Sequence, residues 1–169
     1  CSLGERSFDD ALNAYRTFLE ENPNEVLIFI IQDGTDTASM DEVFEDTGLI
    51  DYVYTHTDGE EWPTLRAMIE ADTRLLVTLE SGSPPPTYMR KFWNIGWDTP
   101  YSFDSVEAFN CNENRGSSDN DLFLVNHWVS NPLCTQANAE EANAYDVLST
   151  RVETCEDEAG QIPNLVAVD

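Results

Sequence analysis

Five polar residues sit where apolar runs stop. Asp33 follows VLIFIIQ, Glu80 follows RLLVTL, Asn126 and His127 follow LFLV, and Asp169 follows NLVAV. Carboxylates and an imidazole are the groups that transfer protons near neutral pH, and a carboxamide beside them can orient a substrate. Asp33, Glu80 and Asp169 are also hard oxygen ligands of the kind that hold a divalent cation such as Ca2+. One carboxylate after a strand is an ordinary cap or loop ligand. The repetition is the more specific signal, because successive runs obey one rule. His127 adjoins a strand end, whereas His56 lies in the polar stretch THTDGEE and reads as a surface residue. No GxSxG elbow, P-loop or HExxH motif is present.

The elements that must position these residues alternate between helix and strand. SFDDALNAYRTFLEEN reads as a helix capped by Ser7, with Asp10 completing a capping box and Phe8, Ala11, Leu12, Tyr15, Phe18 and Leu19 on one face. Val26 to Ile31 is continuously apolar and largely β-branched, the pattern of a strand covered on both faces. Ser39 opens a second helix that Gly48 stops. Thr64 caps a third, with Leu65, Met68 and Ile69 inward. Leu75–Leu79 and Leu122–Val125 are the next strands, followed by a helix over 138–157, with Ala142, Tyr145, Leu148 and Val152 inward and Gly160 closing it. Leu165–Val168 is the last strand. Between Ser83 and Asn120 lies a long irregular stretch, and its aromatics predict an ordered loop.

Four buried strands separated by helices, each ending in a polar group, point to an α/β fold with its chemistry at the C-terminal strand ends. No strand is followed by a dinucleotide-binding glycine fingerprint. An eight-stranded barrel takes about 250 residues. The 169 residues therefore read as one partial domain over 1–169, the C-terminal half of a (β/α)8 TIM-type barrel. Such a half would expose two strand edges and be inactive and poorly folded by itself.

Charge excludes some partners. Thirty-three acids against eight bases give a net charge of −25, which repels nucleic acid phosphates. Mean hydropathy is −0.41, and no run of about 18 apolar residues marks a membrane span. The dispersed acids fit a solvated surface, either of a salt-adapted organism or for plain solubility. Cys1, Cys111, Cys134 and Cys155 lack metal-binding spacing and read as disulfide partners in an exported protein, with three pairings open. Cys1 is not a natural start, so an export leader could precede it.

The blocks CSLGERSFDDALNAYRTFLEENPNEVLIFIIQD, GLIDYVYTH, EEWPTLRAMIEADTRLLVTLE, CNENRG, LVNHW and IPNLVAVD, in that order, resemble the phosphatidylinositol-specific phospholipase C X-domain-like family. WPTL, CxxNRG and PNxVAVD are the most specific pieces. The resemblance covers nearly the whole chain and looks closest to the secreted, cysteine-containing members. It implies a TIM-barrel phosphodiesterase acting on a phospholipid-like phosphodiester, with peripheral membrane contact and a monomer at full length. In the family two histidines of the first barrel half serve as general base and general acid, and neither His56 nor His127 matches either. Asp169 matches the carboxylate that orients a catalytic histidine. Asp33, Glu80, Asn126 and His127 are then the substrate-binding candidates. Acids stand here where the bacterial phosphatidylinositol enzymes are basic, which points away from that lipid and leaves room for a cation, as in the calcium-dependent members. Trp93, Trp97 and Tyr101 are candidates for a lipid-facing rim. The alternative is a secreted, catalytically silent barrel that binds.

Overall fold

The apolar runs become strands, and the computed structural model describes them within residues 6–32, 37–82 and 86–169. Asp33 lies outside the described residues. The chain divides into two units, Cys1–Lys91 and Phe92–Asp169.

In the first unit, helix α1 (Phe8–Glu21) starts at Ser7, whose hydroxyl accepts from the Asp10 N–H at 3.2 Å. Strand β1 (Leu27–Ile31) pairs in parallel with β2 (Leu75–Leu79), which pairs in parallel with the two-residue β3 (Arg90–Lys91). Helices α2 (Thr37–Asp46) and α3 (Leu65–Glu70) fall between β1 and β2. Side chains alternate across a strand, so Leu75, Val77 and Leu79 enter one core with Leu12 and Leu19 of α1 and Met40 and Phe44 of α2. Arg74, 3% exposed, ties the end of α1 to the start of β2. Its guanidinium donates to the Leu19 and Asn22 carbonyls, each at 3.0 Å, where a helix C-terminus attracts a cation.

Several inward assignments shift. Tyr15 and Phe18 are about two-fifths exposed or more, and Leu65 is 65% exposed. Leu65 is the first residue of α3, and a helical side chain tilts toward the N-terminus. It therefore overhangs the helix start, while Met68 reaches the core. His56 is buried, not a surface residue. Trp62 folds back over it in a parallel stack at 3.8 Å, and the Tyr54 hydroxyl lies 3.2 Å from its Nδ1.

The second unit begins with α4 (Phe92–Ile95) and contains β4 (Gly96–Asp98), β5 (Arg115–Gly116), β6 (Leu122–His127), α5 (Gln136–Ala142), α6 (Tyr145–Ala159) and β7 (Leu165–Val168). The sheet order is β5-β4-β6-β7, parallel except for the β5–β4 pair. The helix expected over 138–157 is two, because the chain leaves helical geometry at Asn143 and Ala144. That break changes the helical phase. Tyr145 is 81% exposed, and Arg151 and Cys155 face inward in its place. Gly160 ends α6 in the left-handed region. Trp97 belongs to the core and not to a rim: it stacks on Phe123 at 3.8 Å.

Of the possible disulfides, Cys111–Cys155 is formed and Cys134 is free and exposed, while Cys1 is outside the described residues. The class is mixed α/β, as expected, and among the described residues neither sheet is closed into a barrel. No described helix is long and apolar enough to cross a membrane.

Gly116 sets the approach of β5 to β4. Its φ is +81°, and a Cβ there would stand 2.1 Å from the Gly96 carbonyl oxygen. Both the conformation and the contact are backbone properties that no rotamer relieves. Gly116→Ala is expected to cost about 3 kcal/mol, read as a lower urea midpoint. An unchanged midpoint would refute the close approach.

Candidate functional site

The register of the second sheet decides which strand-end residues can meet. Asp98 lies level with Leu124, and Leu124 with Leu165. Side chains alternate, so Asp98, Leu124, Asn126, Leu165 and Ala167 share one face. Trp97, Phe123, Val125 and His127 share the other, which packs on Cys155 of α6 and on Cys111. Asn126 and His127 are neighbours in sequence and lie on opposite sides of the sheet.

On the first face stands a carboxylate that the sequence reading did not single out. Asp98 is fully buried, and its two oxygens accept five N–H donors. Asn114 Nδ2 and the Arg115 backbone N–H donate to Oδ1 at 3.2 and 2.9 Å. Arg115 Nε and Nη2 and Asn126 Nδ2 donate to Oδ2 at 3.0, 2.6 and 2.8 Å. A buried carboxylate needs such compensation. With both oxygens engaged, Asp98 is an orienting group and not a free base or metal ligand.

What Asp98 orients is Arg115. The guanidinium lies between the Trp93 ring at 4.1 Å and the Tyr101 ring at 4.7 Å, and its side chain remains one-third exposed. Two aromatic faces and a charged fork fix a planar donor at the surface. Residues 92–169 hold fourteen acids and only two arginines, Arg115 and Arg151. Arg115 is therefore this unit's accessible cation. The motif CNENRG carried the signal, but its partner Asp98 lies 17 residues away.

His127 serves the opposite face. It is fully buried, with Nε2 2.7 Å from the Ala142 carbonyl oxygen, its ring 4.8 Å from that of Phe109, and Nδ1 without a partner. A carbonyl only accepts, so Nε2 carries a hydrogen. Burial pushes its pKa below the ordinary value; the Ala142 hydrogen bond opposes this, and the Arg151 charge adds to it. The unfolded chain then takes up a proton near pH 6.5 that the folded chain resists. The contribution to stability is full above that pH and is lost as pH falls toward the depressed folded value. Accordingly, thermal melts at pH 7.5 and 5 should differ less in His127→Gln than in the parent. An equal difference in the two proteins would show that His127 does not titrate between the folded and unfolded states.

The remaining candidates are placed separately. Glu80 follows β2 in the first unit, and its backbone N–H donates to the Ile31 carbonyl at 2.9 Å. Asp169 is exposed at the tip of β7, where its carbonyl accepts from Asn143 Nδ2 at 3.0 Å. It lies four residues past the level of Asp98, about 13 Å along the strand, and does not join the Asp98–Arg115 cluster. Among the described residues no group of three or more His, Cys, Asp or Glu side chains is gathered to hold a metal ion.

Comparison with known proteins identifies the family. The family model for the PI-PLC X domain matches residues 1–169. A PI-PLC X domain-containing protein of Arthroderma benhamiae is 29% identical over 135 residues, covering 73% of this chain and 44% of the relative. A PI-PLC X domain-containing protein of Arabidopsis thaliana is 26% identical over 178 residues, covering 96% of this chain and 41% of the relative. The chain thus spans less than half the length of these curated relatives. No solved structure matches it. With the family model matching from the first residue to the last, the chain belongs to the PI-PLC X-domain family.

Proposed function

We propose that the chain is the later half of a TIM-type phosphodiesterase barrel of the phospholipase C type, and that it contributes the group that grips the phosphodiester. The observation that carries this reading is Arg115, an accessible cation fixed by a buried carboxylate within an otherwise acidic unit. In phosphodiester cleavage a hydroxyl adds to phosphorus and the leaving alkoxide takes a proton. Negative charge develops meanwhile on the non-bridging oxygens. A preorganised guanidinium aimed at those oxygens stabilises that charge without reorganising. Proton transfer belongs in this reading to histidines of the other barrel half, and Asp169 orients one of them by accepting its second N–H. The substrate is a phospholipid or a related phosphodiester met at the membrane surface by an exported protein. The Cys111–Cys155 disulfide is compatible with that compartment.

The proton transfers and charge stabilisation proposed above invoke no metal ion. Dependence of the whole protein on Ca2+ is tested separately by chelator treatment.

The deciding experiment compares full-length protein with its Arg115→Gln and Arg115→Lys variants on phospholipid and water-soluble phosphodiesters. Arg115→Gln is expected to lower kcat/KM by about 100-fold, with a smaller loss for lysine. Rates within twofold of the parent would remove Arg115 from the reaction. No turnover by the parent, together with retained binding of phosphate, would favour the silent binding barrel. The acidic strand-end residue Glu80 and the net charge of −25 favour that second reading.

A further inference from the structure

Arg151 is an unusual residue to bury. It is 6% exposed, and its hydrogen bonds go to a carbonyl and a sulfur, not to a carboxylate. Its Nε has no partner. Burial lowers its pKa to about 10, only partly offset by Glu158. A desolvated cation with so little compensation costs stability, so the contacts it does make call for explanation.

Those contacts all fall on one segment. One Nη donates to the Asn110 carbonyl, and the other lies 3.4 Å from Cys111 Sγ. The guanidinium carbon lies 5.7 Å from the Phe103 ring centroid and 5.2 Å from that of Phe109. One helical turn further along α6, Cys155 closes the disulfide to Cys111. Positions i and i+4 face the same way on a helix, so a single face of α6 grips the chain from Phe103 to Cys111. That chain is an arm. It leaves β4 after Asp98, carries Tyr101 on its outward run, and returns through Asn112, Glu113 and Asn114 to Arg115. At its far end the arm meets Asp98: the Asn114 N–H donates to the Asp98 carbonyl, and Arg115 binds the carboxylate.

We propose that Arg151 is a positioning residue for Arg115, a brace on the root of the arm that keeps the guanidinium in register with Asp98 and between Trp93 and Tyr101. A charge-assisted bond to the Asn110 carbonyl is stronger than a neutral one. Anchored there, the six residues from Asn110 to Arg115 cannot pivot away. The cation is retained because a hydrocarbon at position 151 would fill the same space without holding the carbonyl. The effect on phosphate binding rests on the reading of Arg115 as the anion-gripping group; the effect on Arg115 itself does not.

The test uses full-length protein and follows the Arg115 Nε–H resonance, identified by its loss in Arg115→Lys, together with titration by inorganic phosphate and a thermal melt. Arg151→Met is expected to speed exchange of the Arg115 Nε–H by about tenfold and to weaken phosphate binding by a similar factor. Arg151→Lys, which keeps the charge and a donor, should recover part of both. Val125→Ala, in the same buried layer but off the arm, should lower the melting temperature while leaving the Arg115 exchange rate unchanged. Unchanged exchange in Arg151→Met, or an equal change in Val125→Ala, would overturn the brace. If Arg151→Met does not fold, exchange faster than the parent's in Arg151→Lys combined with parent-like exchange in Val125→Ala supports it, and parent-like exchange in Arg151→Lys or equal acceleration in Val125→Ala refutes it. Failure of the parent to bind phosphate would instead sink the role given to Arg115, while the exchange rates still decide the brace.

Discussion

Asp98→Asn is expected to lower stability by about 3 kcal/mol and to abolish anion recognition by Arg115. The amide offers one acceptor oxygen where five N–H groups now converge, and its own NH2 points at donors. Removing one partner of a buried pair costs about 3–5 kcal/mol. The lower end applies because Arg115 is one-third exposed and water can rehydrate part of its fork. Urea unfolding gives the number directly. A loss below about 1 kcal/mol would mean that the pair behaves as a surface ion pair. The double variant Asp98→Asn with Arg115→Met should be less destabilised than the sum of the two single changes, since it removes the stranded cation as well.

The second large effect is expected on removing the disulfide. Cys111 and Cys155 are 44 residues apart in sequence, and constraining a loop of that length in the unfolded chain is worth about 4 kcal/mol. Replacing both cysteines by serine, or reducing the bond, should lower the melting temperature by about 10 °C. The loss should extend to Arg115, whose arm is rooted at Cys111. Coincident melts in the presence and absence of a dithiol reductant, with the bond shown to be reduced, would count against any contribution to stability.

Much of the fold was legible because its signals are local. Leu27–Ile31, Leu75–Leu79 and Leu122–Val125 announce themselves as apolar runs, and Ser7, Thr64 and Gly160 cap helices as their side chains or φ freedom require. Strand β4 was not legible. Gly96, Trp97 and Asp98 have neither length nor alternation, and pairing with β5 and β6 makes them a strand. The break at Asn143 and Ala144 carries no proline or glycine to mark it. In the site, Asn126 could be placed from its position at a strand end, but its partner could not. Asp98 was hidden with β4, and Arg115 sat inside CNENRG, a motif whose spacing names no partner. One clue was available: a unit with two arginines and fourteen acids uses its cations sparingly, and each warrants asking what holds it. His56 was misread because Trp62, six residues on, supplies the cover that its polar neighbours do not.

The two-sidedness of β6 bears on how this sequence can change. Asn126 belongs to the polar cluster around Asp98, and His127 to the apolar layer under α5, with one peptide bond between them. A strand's period of two leaves no intermediate placement. Deleting or inserting a single residue within Leu122–His127 would send the carboxamide into hydrocarbon and the imidazole toward a carboxylate. Family members can therefore differ in loop length around this strand far more freely than within it, and an alignment that opens a gap inside β6 should be distrusted before the protein is.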